Sequence, residues 1–263
     1  MRTFSSALAA LLLSASALAS TAPLPESVSQ GALVVGHATP GQHVTVAGKP
    51  VRVGSDGVFV FGVGRDEQGP VDVAIGSDRR RLVVTPRDWP VERVNGVPPK
   101  TVNPPPAIAA RIAREQAEVV AARGRDDARE DFAKGFIWPV TGRISGRFGN
   151  QRIYNGDPKA PHSGMDIAVP EGTPVKAPAA GVVTFAKPDL YLTGGTLLLD
   201  HGFGLSSNFL HLSRIDVKVG QRVRQGQVIG AAGMTGRATG PHVHWGFNWF
   251  DVRLDPLLLP GIR

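Results

Sequence analysis

Of the chain's seven histidines, five lie between residues 162 and 244. Four of those five sit in three short phrases: His162-Ser163-Gly164-Met165-Asp166, Leu210-His211-Leu212 and Gly240-Pro241-His242-Val243-His244. Imidazole nitrogen and carboxylate oxygen are good ligands for a divalent metal such as zinc. A catalytic zinc usually takes three protein ligands and keeps a fourth position open for water. The chain has no cysteine, so a thiolate-held structural site is excluded. A set of two histidines and one aspartate with an exchangeable water remains. That chemistry is hydrolytic, because a zinc ion lowers the pKa of its bound water from 15.7 to about 7. A neutral histidine beside such a water can take its proton and later return it to a leaving group.

The spacings bear on which residues converge. His162 and Asp166 are four apart, which suits one face of a helix, but Pro161, Gly164, Pro170, Gly172 and Pro174 argue against a helix there. On an extended strand residues four apart also share a face. His242 and His244 are two apart, so a strand puts both rings on the same side of a sheet. One metal ligand and one water-facing partner is the more natural division for that pair. His37 and His43 sit far from the cluster among Gly, Pro and Thr and read as surface residues. His201 follows the apolar run Thr196 to Asp200 and reads as a structural residue at a strand end.

The segment from Gly142 to Pro260 resembles the M23 family of zinc metallopeptidases, the LytM or lysostaphin-type peptidoglycan hydrolases. The phrases that carry the resemblance are His162 to Asp166, Asp200-His201-Gly202-Phe203-Gly204-Leu205-Ser206, His211-Leu212-Ser213, and Thr235 through Trp245. A His-x-x-x-Asp and a His-x-His in that order, with the glycine-rich phrases between them, make a specific signature. The resemblance implies a two-sheet fold with zinc in a long groove. It further implies that Zn2+ is bound by His162, Asp166 and His244, and that the catalytic pair His211 and His242 faces the open position. One departure stands out. Many relatives carry a tyrosine near the first metal histidine, and others a Tyr-Ala before the catalytic one. Here the second phrase reads Phe209-Leu210-His211. Tyr154 is the nearby candidate for a hydroxyl, and packing a loop is an equally good account of it.

The elements that must position these residues follow from patterning. Residues 1–22 have a short basic start, an apolar stretch and small residues at the end, which matches a secretory signal peptide. The apolar run is too short for a span of about 20 residues, so no stable membrane insertion is expected. Residues 23–88 alternate β-branched and polar residues with turn signals between them, a small antiparallel β-sandwich by pattern. Residues 89–135 open with the stiff proline-rich stretches Trp89 to Pro99 and Asn103 to Pro106, an extended linker. An Ala-, Arg- and Glu-rich helix segment follows over 106–131, starting at Pro106. It either lies on one domain as a connector or partly covers the catalytic groove. Residues 136–263 return to short strands with Gly/Pro turns. The fold class expected is all-β: a C-terminal two-sheet antiparallel metallopeptidase domain preceded by a small β-sandwich and a helical linker.

The formal net charge is +7. The basic residues are scattered and lack the aromatic interleaving of a nucleic-acid surface, so no nucleic acid is expected as a partner. An exported basic protein meets acidic peptidoglycan in the envelope, and long-range attraction raises its encounter rate. The phrase from Arg152 to His162 is similar to Gram-negative relatives, which favours the periplasm. The expectation is a zinc-dependent peptidoglycan endopeptidase that cuts cross-links or stems. The alternative is a catalytically silent or autoinhibited LytM-type regulator of a wall amidase, with a regulatory protein partner.

Overall fold

The computed structural model describes residues 24–262. The segment expected to be a signal peptide lies outside the described residues. Seven strands come first: β1 (Ser27–Ser29), β2 (Leu33–His37), β3 (Val44–Val46), β4 (Lys49–Val51), β5 (Val58–Gly62), β6 (Val71–Ile75) and β7 (Asp78–Thr85). β8 (Val91–Val94), α1 (Pro99–Val102) and α2 (Pro106–Arg123) follow. The remainder holds β9 (Arg143–Gly146), β10 (Gln151–Tyr154), β11 (Asp157–Pro158), β12 (Met165–Ala168), β13 (Pro174–Lys176), β14 (Gly181–Leu190) and β15 (Gly194–Gly202). After these come β16 (Leu205–Leu212), β17 (Arg214–Ile215), β18 (Arg222–Val223), β19 (Val228–Ala231), β20 (His242–Trp249) and β21 (Val252–Leu254). The protein is all-β, and no helix among the described residues is long and apolar enough to cross a membrane.

The sheet that matters for chemistry runs β18-β14-β15-β16-β20-β12-β9. β20 shares one edge between two partners. Its first half, from His242 to Trp245, pairs with β12, and its second half, from Phe247 to Trp249, pairs with β21. β15 is buried along its whole length and β16 along nearly all of it. A three-stranded sheet, β13-β19-β17, completes the second layer. Trp245, Phe209, Phe247, Met165 and Ile167 fill the core between them. Burying such side chains contributes about 1.5–3 kcal/mol each, which is how a domain without disulfides holds a rigid sheet.

In the N-terminal part the order is β1-β7-β6-β3-β4, beside the ribbon β2-β5. β1 pairs with β7 in parallel, a departure from the antiparallel expectation. Because strand side chains alternate, the ribbon serves two cores. Leu33, Val58 and Val60 enter the core of the large C-terminal sheet, while Val34, Phe59 and Phe61 enter the N-terminal one.

The linker differs from its sequence reading in two places. Residues Val91–Val94 are a strand, pairing in parallel with β10 so that Glu92 lies opposite Arg152. A proline-rich composition hides this, since β8 sits at a sheet edge where Pro90 costs no ladder bond. The helix begins at Pro106 as expected but ends at Arg123, not near residue 131. Gly124 caps it, its N–H bonded to the Val120 carbonyl. Beyond it, Arg125 and Arg129 pair with Asp127, and Arg129 also pairs with Asp131 and Asp200. α2 packs Val119 and Ala122 on Phe185, Leu190 and Leu198 of the β14–β15 hairpin. Arg111 Nη2 donates to the Asp189 carbonyl at 2.6 Å, and Glu115 accepts from Tyr191 N–H at 2.8 Å.

Candidate metal centre

Strand register sets the centre. Asp166 on β12 faces His244 on β20 directly, and His244 faces Leu210 on β16 from the other side. His162 is not on a strand; it lies in the turn that leads into β12, where its N–H bonds the Asn150 carbonyl. The turn brings its ring back over the strand. His162 Nε2, Asp166 Oδ1 and His244 Nδ1 form a near-equilateral triangle with sides of 3.0, 3.0 and 2.9 Å. These atoms form a group able to hold a metal ion.

The donor set fits a tetrahedral divalent ion. Ligands about 2.0–2.1 Å from such an ion lie about 3.3 Å from one another, so a slight opening of the triangle admits it. His162 Nδ1 is 3.0 Å from the Arg147 carbonyl, which only accepts, so in the neutral ring that nitrogen carries the proton. Its Nε2 then aims a lone pair at the carboxylate oxygen 3.0 Å away. Two electron-rich atoms held face to face call for a cation between them. Burial works against the Asp166 charge, but where the rings of His162 and His244 carry protons toward it, their hydrogen bonds and charge outweigh burial and hold the carboxyl well below the usual range. Burial pushes the His244 pKa down to about 4, so its ring is neutral at pH 7.

Two glycines let these groups approach. A Cβ on Gly164 would stand 2.7 Å from His244 Nε2 and 2.6 Å from the Trp245 carbonyl oxygen. A Cβ on Gly146 would stand 2.4 Å from Asp166 Oδ2 and 2.7 Å from Arg152 Nη2.

His211 and His242 flank the triangle with ring centroids 4.7 Å apart. His242 Nε2 is 3.9 Å from Asp166 Oδ1. His211 Nδ1 donates to the Thr235 carbonyl at 2.7 Å and His242 Nδ1 to the Gly240 carbonyl at 2.8 Å. Each neutral ring therefore keeps Nε2 as its acceptor. Burial, and then the neighbouring His242, push the His211 pKa down to about 3.

Sequence reasoning did not single out Arg152 or Glu92. Arg152 Nη2 donates to Asp166 Oδ2 at 2.9 Å, and its Nε is 2.9 Å from Glu92 Oε2. Burial opposes the Arg152 charge, yet Asp166, Tyr154 and Glu92 raise its pKa overall. No local pattern marks this chain, because Glu92 and Arg152 meet only through the β8–β10 pairing. Tyr154 lines the cleft with the Arg237 guanidinium 4.6 Å from its ring centre. His201 is fully buried on β15, bonded to the Ala180 carbonyl and the Ser207 hydroxyl, a structural residue.

The centre opens on a cleft of about 930 Å³. Loop residues Gly64 to Glu67, Val94 and Val97 of the linker, and Gln116 of α2 form part of its walls. The linker is fastened there: Asn155 exchanges two hydrogen bonds with the Val97 backbone, and Arg237 donates to the Thr101 carbonyl at 3.0 Å.

Fold and site together define a metal-site protein built on an antiparallel sheet. Peptidase family M23 matches residues 160–256. The crystal structure of a peptidase M23 from Pseudomonas aeruginosa is similar over 88% of this chain and 93% of that one, with 35% identity and a TM-score of 0.66. Peptidoglycan DD-endopeptidase ShyA of Vibrio cholerae is 44% identical over 104 residues, 39% of this chain and 24% of that protein. DD-carboxypeptidase/endopeptidase Mpg of Neisseria meningitidis is 45% identical over 85 residues, 32% of this chain and 19% of that protein. The chain spans about a quarter to a third of the length of the first curated relatives it matches. The chain belongs to peptidase family M23.

Proposed function

We propose that this chain is a zinc-dependent peptidoglycan hydrolase, an endopeptidase that cuts peptide cross-links or stems of the bacterial wall, with the periplasm as its compartment. The observation that carries the reading is the triangle of His162, Asp166 and His244 atoms with the imidazoles of His211 and His242 beside it. The Vibrio cholerae relative is named a peptidoglycan DD-endopeptidase, which supports the substrate class, and the Neisseria relative a DD-carboxypeptidase/endopeptidase, which supports the reaction.

His162, Asp166 and His244 would hold the ion. Zinc bound there supplies an electrophile for the scissile carbonyl and an acidified water. His211 and His242, each fixed by its Nδ1 bond to a backbone carbonyl, present Nε2 acceptors that take the water proton and pass it to the leaving amine. Arg152 keeps Asp166 oriented and charged. The cleft of about 930 Å³ leaves room for a peptide beside the centre.

A silent regulator of a wall amidase has no need of an intact ligand set and a matched histidine pair, and all five side chains are retained. Mass spectrometry of purified peptidoglycan incubated with the chain, with and without chelator, tests the reading. Loss of cross-linked fragments that stops with chelator and in His211→Ala is the expected result. Intact fragments from the zinc-loaded chain, or release of whole stem peptides from the sugar, would overturn it.

A further inference from the structure

Beneath α2, and continuous with the cleft through Ser163 and Leu210, lies a second cavity of about 400 Å³. Val119 of α2 lies on one side, and Leu198 and Asn208 of the sheet lie on the other. Two guanidinium groups line it: Arg123, at the last turn of α2, and Arg253 on β21, which also borders the cleft.

Arg123 is only 7% exposed. Among the described residues its side chain has no hydrogen-bond or ion-pair partner, and its Nε is fully buried. Arg253 donates to Asn248 Oδ1 at 2.8 Å and makes no ion pair at contact distance among the described residues, the Asp251 charge acting on it only from farther off. Burial, then the like charge of Arg253, push the Arg123 pKa down to about 10, with Asp251 opposing. Burial lowers Arg253 as well.

A helix C-terminus favours a cation, but that preference is met by an exposed side chain and does not explain a buried one. Glu115 lines the same cavity but is taken up by Arg111 and the Tyr191 N–H. Charges so rarely stay buried unpaired that the two guanidiniums beside a polar Asn208 describe a site awaiting an anion. Guanidinium binds carboxylate through paired N–H donors. Wall peptides carry free carboxylates, and the cavity opens onto the cleft that holds the metal centre.

We propose that Arg123 and Arg253 form a carboxylate-binding subsite, which takes a free carboxylate of the wall peptide while the adjoining amide lies over the His162, Asp166 and His244 centre. This rests on the peptidoglycan reading above. A free inorganic anion shares the same chemistry, so the test separates the two sources.

The experiment is calorimetric titration of the full chain with a stem tetrapeptide bearing free carboxylates, with the same peptide amidated, and with inorganic phosphate alone. Arg123→Met keeps the apolar stem and removes the charge; Arg253→Met does the same from the sheet side. The free peptide should bind about 10-fold or more tighter than the amide, and both variants should erase that difference while leaving amide binding unchanged. The melting temperature of Arg123→Met should hold or rise, since the charge removed has no partner; a purely structural arginine would lower it. Equal affinity for the two peptides, or a preference that survives in both variants, overturns the proposal. So does Arg123-dependent binding of phosphate with no discrimination between the peptides. Because the readout is binding, discrimination by a chain that hydrolyses nothing keeps the subsite and removes the hydrolase reading. Hydrolysis without discrimination does the reverse.

Discussion

His211 and His242 stand with ring centroids 4.7 Å apart, although regular strand alternation would send them to opposite faces of the sheet. Leu210 is the residue opposite His244, so Leu210 shares its face with His244 and His242, and a regular β16 would turn His211 away. Two local features reverse this. Gly195 pairs with Leu212 and Leu197 with Phe209, so one residue of β15 opposes two of β16, a bulge at Leu210 and His211. His211 itself has φ of +63°, a left-handed conformation that costs a non-glycine residue roughly 1–2 kcal/mol. The Thr235 carbonyl and the Thr193 carbonyl, bonded to the His211 ring and N–H, hold it there.

The division of labour between ligands and flanking histidines gives the first prediction. His211→Ala and His242→Ala should each lower kcat by about 100-fold or more yet keep close to one equivalent of metal. His162→Ala, Asp166→Ala and His244→Ala should lose the metal itself. Metal content by plasma mass spectrometry beside kcat separates the two groups. Metal loss in His211→Ala would place that residue in the ligand set.

Metal removal should also destabilise the fold. An ion that binds only the native chain stabilises by about 2.7 kcal/mol at a concentration 100 times its Kd. Chelator should therefore lower the melting temperature of the wild type by several degrees and leave Asp166→Asn unmoved. A chelator shift of equal size in Asp166→Asn would mean that the ion stabilising the fold binds elsewhere.

Much of this was legible in the sequence because it is local. The His242 and His244 pair on one strand face and the helix start at Pro106 follow from short-range spacing, whereas His162 reaches Asp166 through a turn and not along the shared strand face that their spacing suggests. What escaped depends on partners far along the chain. β8 reads as linker until β10 lies beside it, and Glu92 has no meaning without Arg152 at the facing position. The bulge that aims His211 is a mismatch between two strands, invisible in either alone. Arg123 reads as one more charge in a basic helix, and only the sheet packed under α2 buries it.

His201 predicts a pH dependence. Burial lowers its pKa to about 4 in the folded chain, against an ordinary 6.5. The unfolded chain thus takes up the proton first. The stability this residue protects is complete above pH 6.5 and falls as pH drops from 6.5 toward 4, by about 3 kcal/mol in all. Urea unfolding in chelator at pH 7.5 and pH 5 should show a smaller acid loss for His201→Gln than for the wild type. Identical losses would remove His201 from the acid response.

The ion pair from Glu92 through Arg152 to Asp166 ties the linker strand to the metal centre. Partners behind a metal ligand typically change metal affinity 10–100-fold when removed. Arg152→Met should weaken metal binding by about that factor, since Asp166 Oδ2 then loses its donor and the carboxylate can rotate away from the triangle. Glu92→Gln should weaken it less, because the Arg152 bond to Asp166 remains. Gly146→Ala should resemble Arg152→Met, as its Cβ would occupy the space where Arg152 meets Asp166. Competition with a fluorescent zinc chelator ranks the three variants. An unchanged affinity in Arg152→Met would show that the strand pairing alone fixes Asp166, and the arginine would then serve only to anchor β8 to β10.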